Sequence, residues 1–424
     1  MRQTVSPARL SGEVLIPASK SHTIRALLIA SLASGRSVIS NPLHSADAEA
    51  CVQACRALGA VVDTSGSDWL VDGIAGPQPA DNVIDTMNSG TTLYLTASLA
   101  ALADGWTFFT GDHQIRRRPA GKLLTALEGL GAQAFSAKGN GCAPFAIRGP
   151  WKGGRISIEC PTSQYLSSLL LAAPLAAPGV VTEIEVPLLN EVPYAEMTLK
   201  WLDDQKISYE KREMSWFRVP GGQAYHPFSR PVPGDWSSAT FFFVAAAVCR
   251  SRLTLHGLDY SDTQGDKAVV EMLRRMGAQI EITPDPRGGH VLTIEVNQLK
   301  GAELDLNFTP DALPALAVAA CYAEGETRLV NVEHARLKET DRIAVMSAEL
   351  TKMGAKIEER RDGLVIHGGV PLKGTLVDGH HDHRVVMSLA LAALGATGDT
   401  QIETAEAAAV TFPNFFDLLA RLKA

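Results

Sequence analysis

Four polar segments, each opening an apolar stretch, hold the side chains of this chain that could do chemistry. Ser19-Lys20-Ser21-His22-Thr23-Ile24-Arg25 leads into the first. A hydroxyl of Ser19 or Ser21 would cap a helix whose free N–H groups and dipole favour an anion, with Lys20 beside it and Arg25 about a turn along. Asp85-Thr86-Met87-Asn88-Ser89-Gly90-Thr91-Thr92 offers hydroxyl and backbone donors without charge, which suits a phosphate or carboxylate cradle and equally a plain helix start. Arg116-Arg117-Arg118-Pro119 reads either as a solvated basic loop or as a cation at a helix mouth, with Pro119 as the first helical residue. Pro161-Thr162-Ser163-Gln164-Tyr165 is the fourth such start.

The second half of the chain adds acids and bases. In Arg336-Leu337-Lys338-Glu339-Thr340-Asp341-Arg342, cations and carboxylates stand at helical spacing and would pair, on a solvated face or in a site. Asp311, between Pro310 and an apolar run, could be a base or an N-terminal cap. His380-His381-Asp382-His383-Arg384 holds three histidines and an aspartate, but neighbours within one loop rarely converge on a single ion, so no metal site is expected there.

The elements that must position these residues recur. Gly59, Gly131, Gly277 and Gly354 each stand between an apolar helical stretch and a short strand, at intervals of roughly 72 to 77 residues with one double interval. A weaker copy, Trp201 to Ile207, falls in that double interval and lacks the glycine. The count is about six α/β units. Ile24 to Leu32, Leu166 to Ala176 and Phe241 to Val248 read as helices, apolar all round and therefore buried. Thr293 to Val296 and Leu364 to Ile366 read as strands. A proline-rich stretch, Pro227 to Pro233, favours two lobes of three units each.

Composition narrows the partners. A chain of 424 residues, 46% hydrophobic and 20% charged, is an ordinary globular protein of two or three domains. Its formal net charge of -7 gives no overall field for nucleic acid or an anionic membrane, so an anionic substrate would need a local cluster of Lys and Arg. No apolar run is long enough to span a bilayer and residues 1–10 contain no signal core, so a cytoplasmic protein is expected. The six cysteines form no CxxC and read as reduced thiols.

Taken in order, Ser19-Lys20-Ser21 with Arg25, Asn88-Ser89-Gly90-Thr91, Arg118-Pro119, Ser163-Gln164, Pro193-Tyr194, Asp311, Lys338 to Arg342, Asp382-His383-Arg384 and Thr411-Phe412-Pro413 give the chain a clear likeness. Over essentially its whole length it resembles the 5-enolpyruvylshikimate-3-phosphate synthase family. The resemblance implies a two-lobed inside-out α/β barrel of six βαββαβ units, three per lobe, with helices buried in each lobe and the lobes closing as a clamp. The first lobe would span residues 20–232 and the second 1–19 plus 233–424, with hinges near 17–20 and 227–234. The implied reaction moves the enolpyruvyl (carboxyvinyl) group of phosphoenolpyruvate onto the 5-hydroxyl of shikimate 3-phosphate and releases phosphate, in chorismate and aromatic amino-acid biosynthesis.

By the same resemblance the acceptor would meet Lys20, Ser21, Arg25, Thr162, Ser163, Gln164, Tyr194, Asp311, His334 and Lys338. Phosphoenolpyruvate would meet Lys20, Asn88, Gly90, Thr91, Arg118, Gln164, Arg342 and Arg384. Asp311 would take the acceptor's hydroxyl proton, and Glu339 or Lys20 would protonate the methylene. A monomer with no metal or organic cofactor is implied. Four positions depart from the family pattern. Val410 replaces a lysine, Tyr94 an arginine, His334 an asparagine, and Glu191 a serine near the acceptor's phosphate, where a carboxylate would repel a dianion unless paired or turned away. Those departures leave open a related transferase with another acceptor, or an inactive anion-binding homologue. The related UDP-N-acetylglucosamine enolpyruvyl transferases are disfavoured, because Asp112 to Arg118 holds no cysteine.

Overall fold

The computed structural model describes residues 1–424. Contacts divide the chain into a first unit, Ala18–Val232, and a second that joins Met1–Pro17 to Pro233–Ala424. Helices of the first are α1 (Lys20–Leu32), α2 (Ala46–Ala57), α3 (Gly90–Ala100), α4 (Gly121–Gly129), α5 (Gln164–Ala172) and α6 (Val192–Asp204). Those of the second are α7 (Trp236–Cys249), α8 (Val269–Arg275), α9 (Leu313–Tyr322), α10 (Arg342–Lys352), α11 (His383–Leu394) and α12 (Phe415–Arg421).

Apart from Lys20, His22 and Arg25 of α1, Gln164 of α5, and His383 and Arg384 of α11, the odd-numbered helices carry apolar or small polar side chains on every face, and they are buried nearly throughout. The even-numbered ones bury one face only, as their mixed sequences require. Around the inner helices lie six sheets, three in each unit, five of them four-stranded. In one, Gly154–Ser157 runs parallel to Val181–Glu185, which pairs antiparallel with Trp216–Pro220, and Glu210–Arg212 forms the far edge. The other four-stranded sheets repeat this order of one parallel and two antiparallel pairings. The sixth is shorter: Leu376–Asp378 runs parallel to Thr400–Glu403, and Gln3–Val5 closes it antiparallel. Each unit is an inside-out α/β barrel, with sheets outside and helices within.

The repeat glycines do what their spacing predicts. Gly59, Gly131, Gly277 and Gly354 all adopt φ between +94° and +108°, which turns the chain out of α2, α4, α8 and α10. In the copy without glycine, Lys206 takes the same left-handed conformation at φ 58°. A second glycine device was not foreseen. A Cβ on Gly73 would lie 2.2 Å from the carbonyl oxygen of Ala33, just past α1, and one on Gly368 would lie 2.2 Å from that of Ala323, just past α9. Strand ends thus pack backbone to backbone on inner-helix ends.

Two local expectations are corrected. The helix read as Leu166 to Ala176 ends at Ala172 and tightens into a 3-10 turn, Ala173–Leu175, because Pro174 has no N–H to continue the ladder. Pro119 does not open a helix; α4 begins at Gly121, and Arg118 follows a 3-10 turn at Ile115–Arg117.

Packing around an inner helix should be costly to disturb. Phe243 of α7 is fully buried, so Phe243→Ala should destabilise the second unit by about 3–5 kcal/mol. Urea unfolding would show a lower midpoint at similar slope; a loss below about 1 kcal/mol would contradict the packing described.

Candidate active site

In the first unit the donors cluster at the starts of α1, α3 and α5. Ser19 caps α1 by accepting from the His22 N–H. The Lys20 ammonium lies 2.9 Å from Oδ2 of Asp47, a nearly buried carboxylate in the first turn of α2. Arg25 is fully buried, and all its partners are neutral oxygens. Nε donates to the Thr198 hydroxyl (2.8 Å), Nη1 to the Ser21 carbonyl (3.1 Å), and Nη2 to the Ser167 hydroxyl (3.4 Å) and the Tyr194 carbonyl (3.0 Å). Burial without a counter-charge lowers its pKa to about 10, a shift the Tyr194 hydroxyl partly opposes.

Gly90 is the first residue of α3, and a Cβ there would fall 1.9 Å from Nη1 of Arg118. Glycine is what lets this guanidinium lie against the helix start. Arg118 is itself buried, unlike its neighbours Arg116 and Arg117. The following carbonyl, of Pro119, accepts from the Tyr94 hydroxyl at 3.0 Å and also from Tyr165, whose ring meets Tyr94 edge-on. Tyr94, where the family pattern has a cation, thus anchors the segment that carries Arg118. Asn88 donates to Asp112 (2.7 Å) and Gln114 (2.5 Å), and Gln164 Nε2 reaches the Thr91 hydroxyl at 3.4 Å. Thr162 and Ser163, at the start of α5, bond to the carboxylate of Glu191.

The second unit gathers its charges around Arg342, the first residue of α10 and fully buried. Nε and Nη2 hold Asp382 in a fork at 2.8 and 3.2 Å, Nη1 meets Asp311 at 2.8 Å, and Nη2 meets Glu339 at 2.6 Å. Arg384 Nη2 reaches the other Asp311 oxygen at 3.0 Å, and the Lys338 ammonium lies 3.8 Å from Asp311. Burial alone would raise the pKa of Asp311. Arg384, Lys338 and Arg342 outweigh it, against some repulsion from Glu339, and hold the carboxyl far below the usual range. Asp382 also caps α11, accepting from the Arg384 N–H at 2.9 Å. Nearby Asp266, bonded to the Ser237 hydroxyl, is pushed up to about 6 by burial and by the charge of Asp311.

Of the residues expected from the sequence, the structure joins Asp311, Lys338, Glu339, Arg342 and Arg384 into one network. It pairs Gly90 with Arg118, Thr91 with Gln164, and Arg25 with Ser21 and Tyr194. His334 is buried in the 3-10 turn Glu333–Leu337 that leads to Lys338. Val410 ends a 3-10 turn, half-buried, and brings no charge. Asp47 and Tyr165 were missed. One looks like any acid in a helix's first turn and the other like any core aromatic. Asp382 belonged to a quoted motif, but its tie to Arg342 spans 40 residues and leaves no local trace.

Comparison with known proteins gives a uniform result. A sequence model of the family described as EPSP synthase (3-phosphoshikimate 1-carboxyvinyltransferase) matches residues 5–419. A 3-phosphoshikimate 1-carboxyvinyltransferase of Ruminiclostridium cellulolyticum is 53% identical over 414 residues, 97% of this chain and 96% of its own length. One from Acetivibrio thermocellus is 51% identical over 418 residues, 98% and 97% of the two chains. Among solved structures, an EPSP synthase of Acinetobacter baumannii superposes with a TM-score of 0.83 at 27% identity, covering all of this chain and 98% of its own. With that coverage and that identity, the chain belongs to the EPSP synthase family.

Proposed function

We propose that this protein is a 3-phosphoshikimate 1-carboxyvinyltransferase, transferring the enolpyruvyl group of phosphoenolpyruvate to the 5-hydroxyl of shikimate 3-phosphate. The observation that carries the chemistry is Asp311 in contact with Arg342 and Arg384, with Lys338 close by. Three cations (Lys338, Arg342, Arg384) here face three carboxylates (Asp311, Glu339, Asp382), so the second unit's cluster is balanced without substrate. An incoming phosphate or carboxylate must compete for Arg342 and Arg384. As those arginines turn to phosphoenolpyruvate, Asp311 loses the charges that depress it and becomes basic enough to accept a proton.

The steps follow from the groups. The acceptor's hydroxyl oxygen attacks C2 of phosphoenolpyruvate, Asp311 takes the hydroxyl proton, and the C3 methylene is protonated to a methyl. Lys20 suits that donation, because an ammonium carries a transferable proton as it stands. Glu339, paired with Arg342, suits the reverse, taking a methyl proton as the C–O bond to phosphate breaks. The arginines stabilise the charge that collects on the departing phosphate. Lys20, Gly90, Arg118, Gln164, Arg342 and Arg384 serve phosphoenolpyruvate in this reading, with Asn88 and Thr91 shaping its cradle. Ser21, Arg25, Thr162, Ser163, Tyr194, His334 and Lys338 serve the acceptor. The same reading has a cytoplasmic monomer that needs no metal or organic cofactor.

The test is phosphate release from phosphoenolpyruvate with shikimate 3-phosphate. Asp311→Asn should cut kcat by about 10²–10⁴-fold while phosphoenolpyruvate still binds, since its loss frees cations. Near-normal turnover would reduce Asp311 to a structural counter-ion. Wild-type protein that binds phosphoenolpyruvate but shows no turnover with this acceptor would sink the acceptor assignment. Gly90→Ala forces the Arg118 guanidinium aside, so KM for phosphoenolpyruvate should rise roughly tenfold with little change for the acceptor. An unchanged KM would mean Arg118 does not hold that substrate.

A further inference from the structure

Glu191 is 2% exposed and sits at the N-cap of α6 in the left-handed conformation, φ 58°. A non-glycine residue is strained there, and the strain persists only where surrounding contacts impose it. Its carboxylate does not cap its own helix. Instead Oε2 accepts from the Thr162 hydroxyl (3.1 Å), the Ser163 N–H (3.2 Å) and the Ser163 hydroxyl (3.1 Å), all at the start of α5. Two hydroxyls and a backbone N–H converging on one oxygen form an anion cradle, and here the anion is part of the chain. Arg25 ties the same two helices, through Ser167 of α5 and the Tyr194 carbonyl of α6, and every oxygen its guanidinium bonds is a neutral hydroxyl or carbonyl.

We propose that Glu191 is a built-in competitor for the acceptor's phosphate, occupying the Thr162–Ser163 donors until the ligand displaces it, and so sets the preference between phosphorylated and unphosphorylated acceptors. A phosphate dianion cannot share these donors with a carboxylate at contact distance. The side chain has three rotatable bonds and can swing away, but it gives up its hydrogen bonds to Thr162 and Ser163 to do so. This inference rests on the acceptor reading above.

The test compares wild type with Glu191→Gln, which keeps the shape and removes the charge, and with Glu191→Ser. KM for shikimate 3-phosphate should fall roughly tenfold in both variants, while KM for phosphoenolpyruvate stays within about twofold. Calorimetric titration with inorganic phosphate should show tighter binding by a similar factor, and titration with shikimate no change. An acceptor KM that is unchanged or raised would overturn the proposal, because Glu191 would then assist the acceptor or only brace the helices. If wild type shows no turnover with shikimate 3-phosphate, the acceptor reading fails on its own. The phosphate titration still decides, since equal affinity in wild type and Glu191→Gln would remove Glu191 as a competitor. Should Glu191→Ser fail to fold, the Gln variant carries both measurements.

Discussion

One buried guanidinium organises the chemistry of the second unit. Arg342 begins α10, Asp382 caps α11, and Asp311 lies in the turn that leads into α9, so a single side chain ties together the starts of three helices. A cation at a helix start is unfavourable with the dipole, and here three carboxylates reverse that cost. Removing Arg342 would take from Asp382 and Glu339, whose side chains are both buried, the cation they share, which is far more damaging than losing a surface ion pair. The rigidity of the site and its balanced charge thus have one origin.

The first unit solves the matching problem differently. Arg25 is as buried as Arg342, but it is surrounded by hydroxyl and carbonyl oxygens, which solvate a cation without neutralising it. Its field remains available to an anion. Arg118 is positioned by shape, with Gly90 leaving room for it and Tyr94 and Tyr165 holding the adjacent carbonyl. One unit closes its charges on themselves and the other keeps a cation poised.

What was legible in the sequence follows from distance along the chain. The repeat was readable because a helix-ending glycine is a local requirement, and even its missing copy kept the conformation, with Lys206 at φ 58°. The buried helices were readable because they are apolar on every face. Asp311, Lys338, Glu339, Arg342 and Arg384 were picked out as types, and the local Glu339–Arg342 pairing was legible, but their meeting around Asp311 was beyond reach, since Lys338, Arg342 and Arg384 lie 27, 31 and 73 residues from it. Pro119 was misread because its preference for a helix start is local, whereas two tyrosine hydroxyls capture its carbonyl from 25 and 46 residues away. Glu191 stood out as a carboxylate in an awkward place. Its partners, 28 and 29 residues earlier, turn that oddity into a defined contact.

The sixth sheet bears on how the chain comes together. Its strand Thr400–Glu403 pairs with Gln3–Val5, about as distant as two segments of this chain can be, while the first unit is one continuous stretch, Ala18–Val232. During synthesis the first unit has all its strands and helices in hand well before the second can close. Residues 3–5 must stay unpaired until nearly the whole polypeptide exists. The second barrel is therefore the later to form and the more exposed to interruption, since its closure joins segments of the greatest sequence separation. Arg342 and its three carboxylates lie in that barrel, on residues synthesised after the donor-rich starts of α1, α3 and α5.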